Sequence, residues 1–330
     1  MPRSTRVALA LGSGGARGYA HIGVIQELEE RGYDIVGVAG SSMGAVVGGL
    51  HAAGVLRSYA DWVVTLTQRD VIRLLDPTIR APGAIRAEKI LAIVTELLDG
   101  AVIEDLPIPY TAVATDLLAR QEVWFQRGPV DAAIRASIAL PSMIPPVVMH
   151  GRLLADGGLM NPIPVAPTAG SGADVTIGVA LSEDHVGMGG VAPVHESAEL
   201  EPSPELPERS RRRAAQLLDN ELVRAVSAWL ASDRPETPET DGAPQDRYEE
   251  APFGPPPPGL RTLDVMQLSL DVLQSVVTRY RLAGYPPDLL ITVPKASCRT
   301  IEFHRAGEMI ALGRELAAEA LDQQAVQPQQ

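Results

Sequence analysis

Val36–Leu50, V-G-V-A-G-S-S-M-G-A-V-V-G-G-L, sets a short apolar run before Gly40-Ser41-Ser42-Met43-Gly44 and follows it with a small-residue segment able to form a helix. The order is strand, sharp turn, helix, and it leaves the chain few architectures other than an α/β sheet with this turn at a strand tip. In a G-x-S-x-G elbow the serine takes a strained backbone conformation, and the glycines two residues to either side are required because a Cβ there would clash. Ser42 occupies the serine position, flanked by Ser41 and Met43 and bounded by Gly40 and Gly44. Ala45, Gly48 and Gly49 let the following helix lie close to the strands, with its N-terminal dipole aimed at the hydroxyl. The same residues also suit a plain Gly/Ser turn, so the rest of the chain has to decide.

A second strand, glycine loop and helix precede the first. Arg6–Leu11 is a continuous apolar run, Gly12-Ser13-Gly14-Gly15-Ala16-Arg17-Gly18 is the loop, and Tyr19–Arg31 places Ile22, Ile25 and Leu28 on one helical face. Such a loop either cradles a dinucleotide pyrophosphate or lends its amides to an oxyanion. The dinucleotide fingerprint requires Gly at the first, third and sixth places, and Ser13 stands first; the acidic residue expected after the second strand is replaced by the Ser42 elbow.

L-G-S-G-G-A-R-G with Y-A-H-I-G-V, then G-S-S-M-G-A, then Asp156-Gly157-Gly158 with N-P-I-P-V beyond, resembles the bacterial branch of the patatin-like phospholipase family over about Arg6–Leu181. The resemblance implies a three-layer α/β/α fold with a mostly parallel central sheet. It also implies a Ser-Asp dyad, Ser42 as nucleophile and Asp156 as its base, with Gly14, Gly15, Ala16, Arg17 and Gly18 as the oxyanion loop and no metal or cofactor. Ser13 departs from the pattern, since many members carry Gly there.

Further along, Ala60–Leu75, Ala87–Leu98 and Ala132–Leu140 read as helices, and Tyr110–Ala114, Glu122–Phe125, Leu153–Ala155 and Thr176–Leu181 as strands. Leu153–Ala155 delivers Asp156 at a strand end, and Gly157 and Gly158 make the turn after it. The apolar stretch Met143–Met149 fits either an acyl-binding groove or plain core. Of the six histidines, His51 lies ~13 Å along the helix after Ser42, His21 suits a local hydrogen bond, and His150 is the rival base, six residues before Asp156.

Composition divides the chain. Residues 185–261 hold most of the Pro- and acid-rich sequence: His185–Leu260 has 14 acidic and 7 basic residues, so −7 of the net −13 lies there. Val191–Glu208 and Arg234–Gly259 read as flexible tethers around one amphipathic helix, Arg209–Ser232, which carries Trp229 and an arginine cluster. The domain reading is a catalytic core over 1–184, the insert over 185–261, and a helix-strand-helix over 262–330 that completes the core. No basic stripe for nucleic acid is present, and Cys298 stands alone. With no apolar run of spanning length, the expectation is a cytoplasmic lipid acyl hydrolase that meets membranes peripherally at the inner face, with a lipid or acyl ester as substrate. A nucleotide-binding regulator and a catalytically silent scaffold are the alternatives.

Overall fold

The structure is a computed structural model and describes residues 4–75, 87–141, 143–181 and 262–326. All of them belong to one compact unit. The helix expected at 209–232 and the tethers around it lie outside the described residues.

The sheet begins with β1 (Arg6–Leu11), β2 (Asp34–Ser41), β3 (Tyr110–Asp116) and β4 (Gln121–Phe125), and continues through β5 (Val147–Met149), β6 (Arg152–Asp156), β7 (Val175–Ala180) and β8 (Leu289–Thr292). Strand pairing follows β5-β6-β3-β2-β1-β7-β8, with β4 also on β3. The β1–β2, β2–β3, β1–β7 and β7–β8 pairs are parallel, and the β3–β4, β3–β6 and β5–β6 pairs antiparallel, so the sheet is mostly parallel as expected. Its helices are α1 (Ala20–Glu30), α2 (Met43–Ala52), α3 (Leu56–Val63), α4 (Gln68–Leu75), α5 (Glu88–Leu98), α6 (Val130–Ser137), α7 (Thr262–Gly284) and α8 (Ala306–Val326).

Period-two alternation along β1 separates the layers. Val7, Leu9 and Leu11 enter the main core with α1, α2 and α8, whereas Ala10 joins Ala180, Ile163 and Val165 on the other face, where Leu282 of α7 packs. Both faces of the parallel strands are thereby covered, which explains why β1 reads as an unbroken apolar run.

The single helix expected over Ala60–Leu75 is two, α3 and α4. Thr67 starts the second helix: its hydroxyl donates to Asp70 Oδ2 (2.6 Å) and accepts the Asp70 N–H (3.3 Å), a reciprocal cap at the head of α4.

The pairing along β3 positions the site. Ala112 and Val113 pair with β4 on one edge of β3 and with β2 on the other; Ala114–Asp116 pair with β4 and with β6. β2 and β6 therefore share an edge of β3 and run towards each other, ending on successive places: Ser41 opposite Val113, Asp156 opposite Ala114. Ser42 and Asp156, 114 residues apart, meet where the two strand ends converge.

Candidate active site

Ser42 has φ 55° and ψ −123°, the strained elbow expected, between β2 and α2. A Cβ on Gly40 would meet the Gly44 carbonyl, and one on Gly44 would meet the Leu11 carbonyl, so both glycines are sterically required. The turn takes the Ser42 N–H out of the sheet. It donates instead to Ser137 Oγ (2.9 Å), and that hydroxyl donates to Val113 O (2.6 Å). Ser137 is fully buried at the end of α6; nothing in its small-residue helix distinguished it in sequence.

Ser42 Oγ donates to Asp156 Oδ2 at 2.6 Å, and Asp156 Oδ1 accepts the Gly158 N–H at 2.7 Å. The Asp156 backbone is fixed as well, its N–H donating to Ala139 O (2.9 Å) and its carbonyl accepting from Thr115 Oγ1 (2.9 Å). Burial raises the carboxyl from 3.8 to about 6, with the Ser42 and Gly158 hydrogen bonds pulling in the opposite direction. Gly157 and Gly158 form the tight turn, in which a Cβ on Gly157 would come 2.6 Å from Ser41 Oγ.

The loop after β1 is tied down on both sides. Gly12 N–H donates to Val179 O (3.0 Å), Ser13 N–H to Pro162 O (2.9 Å) and Ala16 N–H to Thr300 O (2.9 Å). Between them the amides of Gly14 and Gly15 have no hydrogen-bond partner among the described residues. Gly15 has φ 58°, a conformation that glycine adopts without strain. Ala16, grouped with the loop donors in sequence, thus spends its amide elsewhere, and Gly18 packs its α-carbon on Met43. Arg17, expected to help hold an oxyanion, is buried and donates to Gly14 O (3.3 Å) and Lys295 O (3.4 Å), contacts that brace the loop against the C-terminal segment.

The histidines fall away from the dyad. His150 and Gly151 form the β5–β6 turn, at the far end of β6 from Asp156, on the order of 15 Å along the strand. His21 is buried with Nε2 2.8 Å from Gly12 O, and burial lowers it to about 4, so it is a neutral strut under the loop.

Ser13, Gly14, Gly15, Ser42 and Asp156 line a pocket whose remaining wall is largely apolar, with Arg17, Asp271, Gln274 and Thr300 as its other polar residues. Val46 of α2, Tyr59 and Trp62 of α3, Leu74 of α4 and Leu91 and Val94 of α5 line it, and Met143 and Ile144 close another side. Met143 and Ile144 belong to the stretch for which sequence left groove and core both open. Among the described residues no group of three or more His, Cys, Asp or Glu is arranged to hold a metal ion, and no helix is long and apolar enough to cross a membrane.

Residues 9–169 match the Patatin family model, described as patatin-like phospholipase. An uncharacterised NTE family protein of Mycobacterium tuberculosis is 53% identical over 339 residues, covering 97% of this chain and 92% of the relative. A patatin-like phospholipase domain-containing protein of Caenorhabditis elegans is 33% identical over 178 residues, covering 52% of this chain and 13% of that one. The crystal structure of VipD from Legionella pneumophila aligns with a TM-score of 0.43 at 14% identity, covering 98% of this chain and 67% of that one. The fold is α/β, and the family-model match and the sequence relatives support lipid hydrolase activity in general. The chain belongs to the patatin-like phospholipase family, whose members act on lipid substrates.

Proposed function

We propose that this chain is a serine-dependent lipid acyl hydrolase that cleaves fatty-acyl ester bonds with Ser42 and Asp156. The observation that carries the reading is the 2.6 Å contact between Ser42 Oγ and Asp156 Oδ2 beside an apolar pocket. Ser42 Oγ attacks the ester carbonyl as its proton passes to Asp156. The carbonyl oxygen becomes an oxyanion, and the unspent amides of Gly14 and Gly15 are the donors available to it. Collapse breaks the bond to the alcohol, which leaves with the proton held by Asp156, and the acyl group remains on Ser42. Water then attacks this acyl-enzyme, giving its proton to Asp156, and the fatty acid departs as Ser42 regains a proton.

The strained elbow and the buried carboxylate serve this sequence in distinct ways. The elbow holds Oγ in a single direction. Burial makes Asp156 a stronger base than an exposed carboxylate while leaving it ionised above about pH 6. In this reading the core domain, 1–184 with 262–330, houses the whole reaction, the substrate is a lipid or acyl ester met by peripheral contact with a membrane, and the protein works in the cytoplasm. The test is hydrolysis of a short-chain soluble ester by folded variants. Ser42→Ala and Asp156→Asn each lose nearly all turnover, because residues acting as a unit lose most of their effect when either is removed. His150→Ala retains it. Activity that survives Asp156→Asn but not His150→Ala overturns the assignment.

A further inference from the structure

Behind the dyad, on the sheet face away from α6, lies a second polar cluster that the proposed chemistry does not use. Glu122 on β4 accepts three donors. Its Oε1 pairs with Arg281 Nη2 of α7, and its Oε2 accepts from Asn161 Nδ2 at 2.9 Å and from Trp124 Nε1 at 2.8 Å. Arg281 also donates through Nε to Met160 O at 3.1 Å, so one guanidinium grips both the strand and the turn. The side chains of Arg281 and Glu122 are largely removed from water, 27% and 14% exposed.

The cluster converges on residues 157–161, the turn that leaves Asp156. Asn161 is 1% exposed; its N–H donates to Gly157 O (2.8 Å) and its carbonyl accepts from Ser41 Oγ (2.7 Å), the residue just before Ser42. The turn in turn supplies the Gly158 N–H that holds Asp156 Oδ1 at 2.7 Å. A partly buried ion pair loses much of its Coulombic gain to desolvation, so stability alone is a weak reason for one here. A forked guanidinium that fixes two backbone segments in register is a good reason.

We propose that Arg281, acting through Glu122, Met160 and Asn161, is a positioning residue for the Ser42–Asp156 dyad: it sets the 157–161 turn and hence the direction of the Asp156 carboxylate. The inference rests on the serine-hydrolase reading above. It also makes α7 part of the site's support, with Arg281 acting at one remove from the reacting atoms.

The test uses the full chain with Arg281→Gln, Arg281→Lys and Glu122→Gln. On a soluble short-chain ester, Arg281→Gln lowers kcat by about 10- to 100-fold with KM within about twofold, since a small displacement of a catalytic group costs rate more than binding. The acid limb of kcat/KM moves to higher pH as the Gly158 N–H withdraws from the carboxylate. Arg281→Lys, which keeps the charge but not the fork, falls between Gln and wild type; Glu122→Gln behaves as Arg281→Gln does. A readout independent of turnover is the pH midpoint at which the stability difference between the wild type and Asp156→Asn develops, and this midpoint also rises when both proteins carry Arg281→Gln. A folded Arg281→Gln or Arg281→Lys variant with wild-type kcat, acid limb and stability midpoint overturns the proposal, as does a loss of stability with the acid limb and midpoint unmoved. If the wild type shows no Ser42-dependent hydrolysis, the hydrolase reading fails, and the stability midpoint still decides whether Arg281 positions Asp156.

Discussion

Replacing Asp156 with Asn stabilises the protein in a pH-dependent way. The carboxyl titrates at about 6 in the fold against an ordinary value of 3.8, and burial is the main cause. Between those values the folded chain binds more protons than the unfolded one, so stability falls as pH rises. Below about pH 4 both states are protonated and the group contributes nothing; above about pH 6 the full penalty is present. At ~1.4 kcal/mol per pH unit, that penalty is about 3 kcal/mol. Asn is nearly isosteric and keeps both hydrogen bonds: its carboxamide oxygen accepts the Gly158 N–H, and its NH₂ donates to Ser42 Oγ. Only the cost of burying a charge is removed.

Urea unfolding of wild type and Asp156→Asn at intervals from pH 4 to pH 8 measures the effect. The difference in stability between them widens in favour of Asn by about 3 kcal/mol across this range and is flat above about pH 7. At a denaturant slope of about 3 kcal/mol per molar, this is a midpoint difference of about 1 M. A difference that stays constant from pH 4 to pH 8, or that turns against Asn as pH rises, refutes the view that Asp156 is a desolvated base.

The same ionisation governs rate. kcat/KM for a soluble ester rises with pH through about 6 and then levels, because only the ionised Asp156 accepts the Ser42 proton; a pH–rate profile lacking this limb contradicts the assignment. Ser137→Ala leaves the Ser42 N–H without its acceptor and lowers kcat by about 10-fold or more, with a stability loss of about 1–3 kcal/mol from the stranded polar groups; steady-state kinetics beside an unfolding curve separate the two effects. Gly15→Val cannot keep φ 58° without strain and lowers kcat by about 10²-fold with little change in KM, and an unchanged turnover in a folded variant removes the loop from the mechanism.

Much of the arrangement could be read from local pattern. β1 and β2 each end in a glycine-bearing loop that leads into a helix, and the G-S-S-M-G stretch has the spacing of an elbow between a strand tip and a helix. The pairing of Ser42 with Asp156 is different in kind. It depends on β2 and β6 meeting on one edge of β3, a contact across 114 residues that no window of sequence contains, so family resemblance rather than periodicity pointed to it. Ser137, Glu122 and Arg281 escaped because each looks ordinary in its own segment, a small residue in a small-residue helix or a charge on a strand or helix, and Asn161 stood in the N-P-I-P-V motif with no role attached to it. Their role comes from where the backbone bends. The break between α3 and α4 did leave a signal, Thr67 with Asp70 three residues later, which the continuing apolar spacing masked. Ala16 and Arg17 show the limit of assigning a loop as a block, since neighbouring groups in one glycine-rich stretch point to different partners.

The most direct measurement is covalent labelling with a fluorophosphonate probe, followed by peptide mapping of the adduct by mass spectrometry. A Ser42–Asp156 dyad predicts one adduct, on Ser42, formed rapidly in wild type and His150→Ala, strongly slowed in Asp156→Asn and absent in Ser42→Ala. An adduct on another residue, or labelling of Ser42 at the wild-type rate in Asp156→Asn, contradicts it.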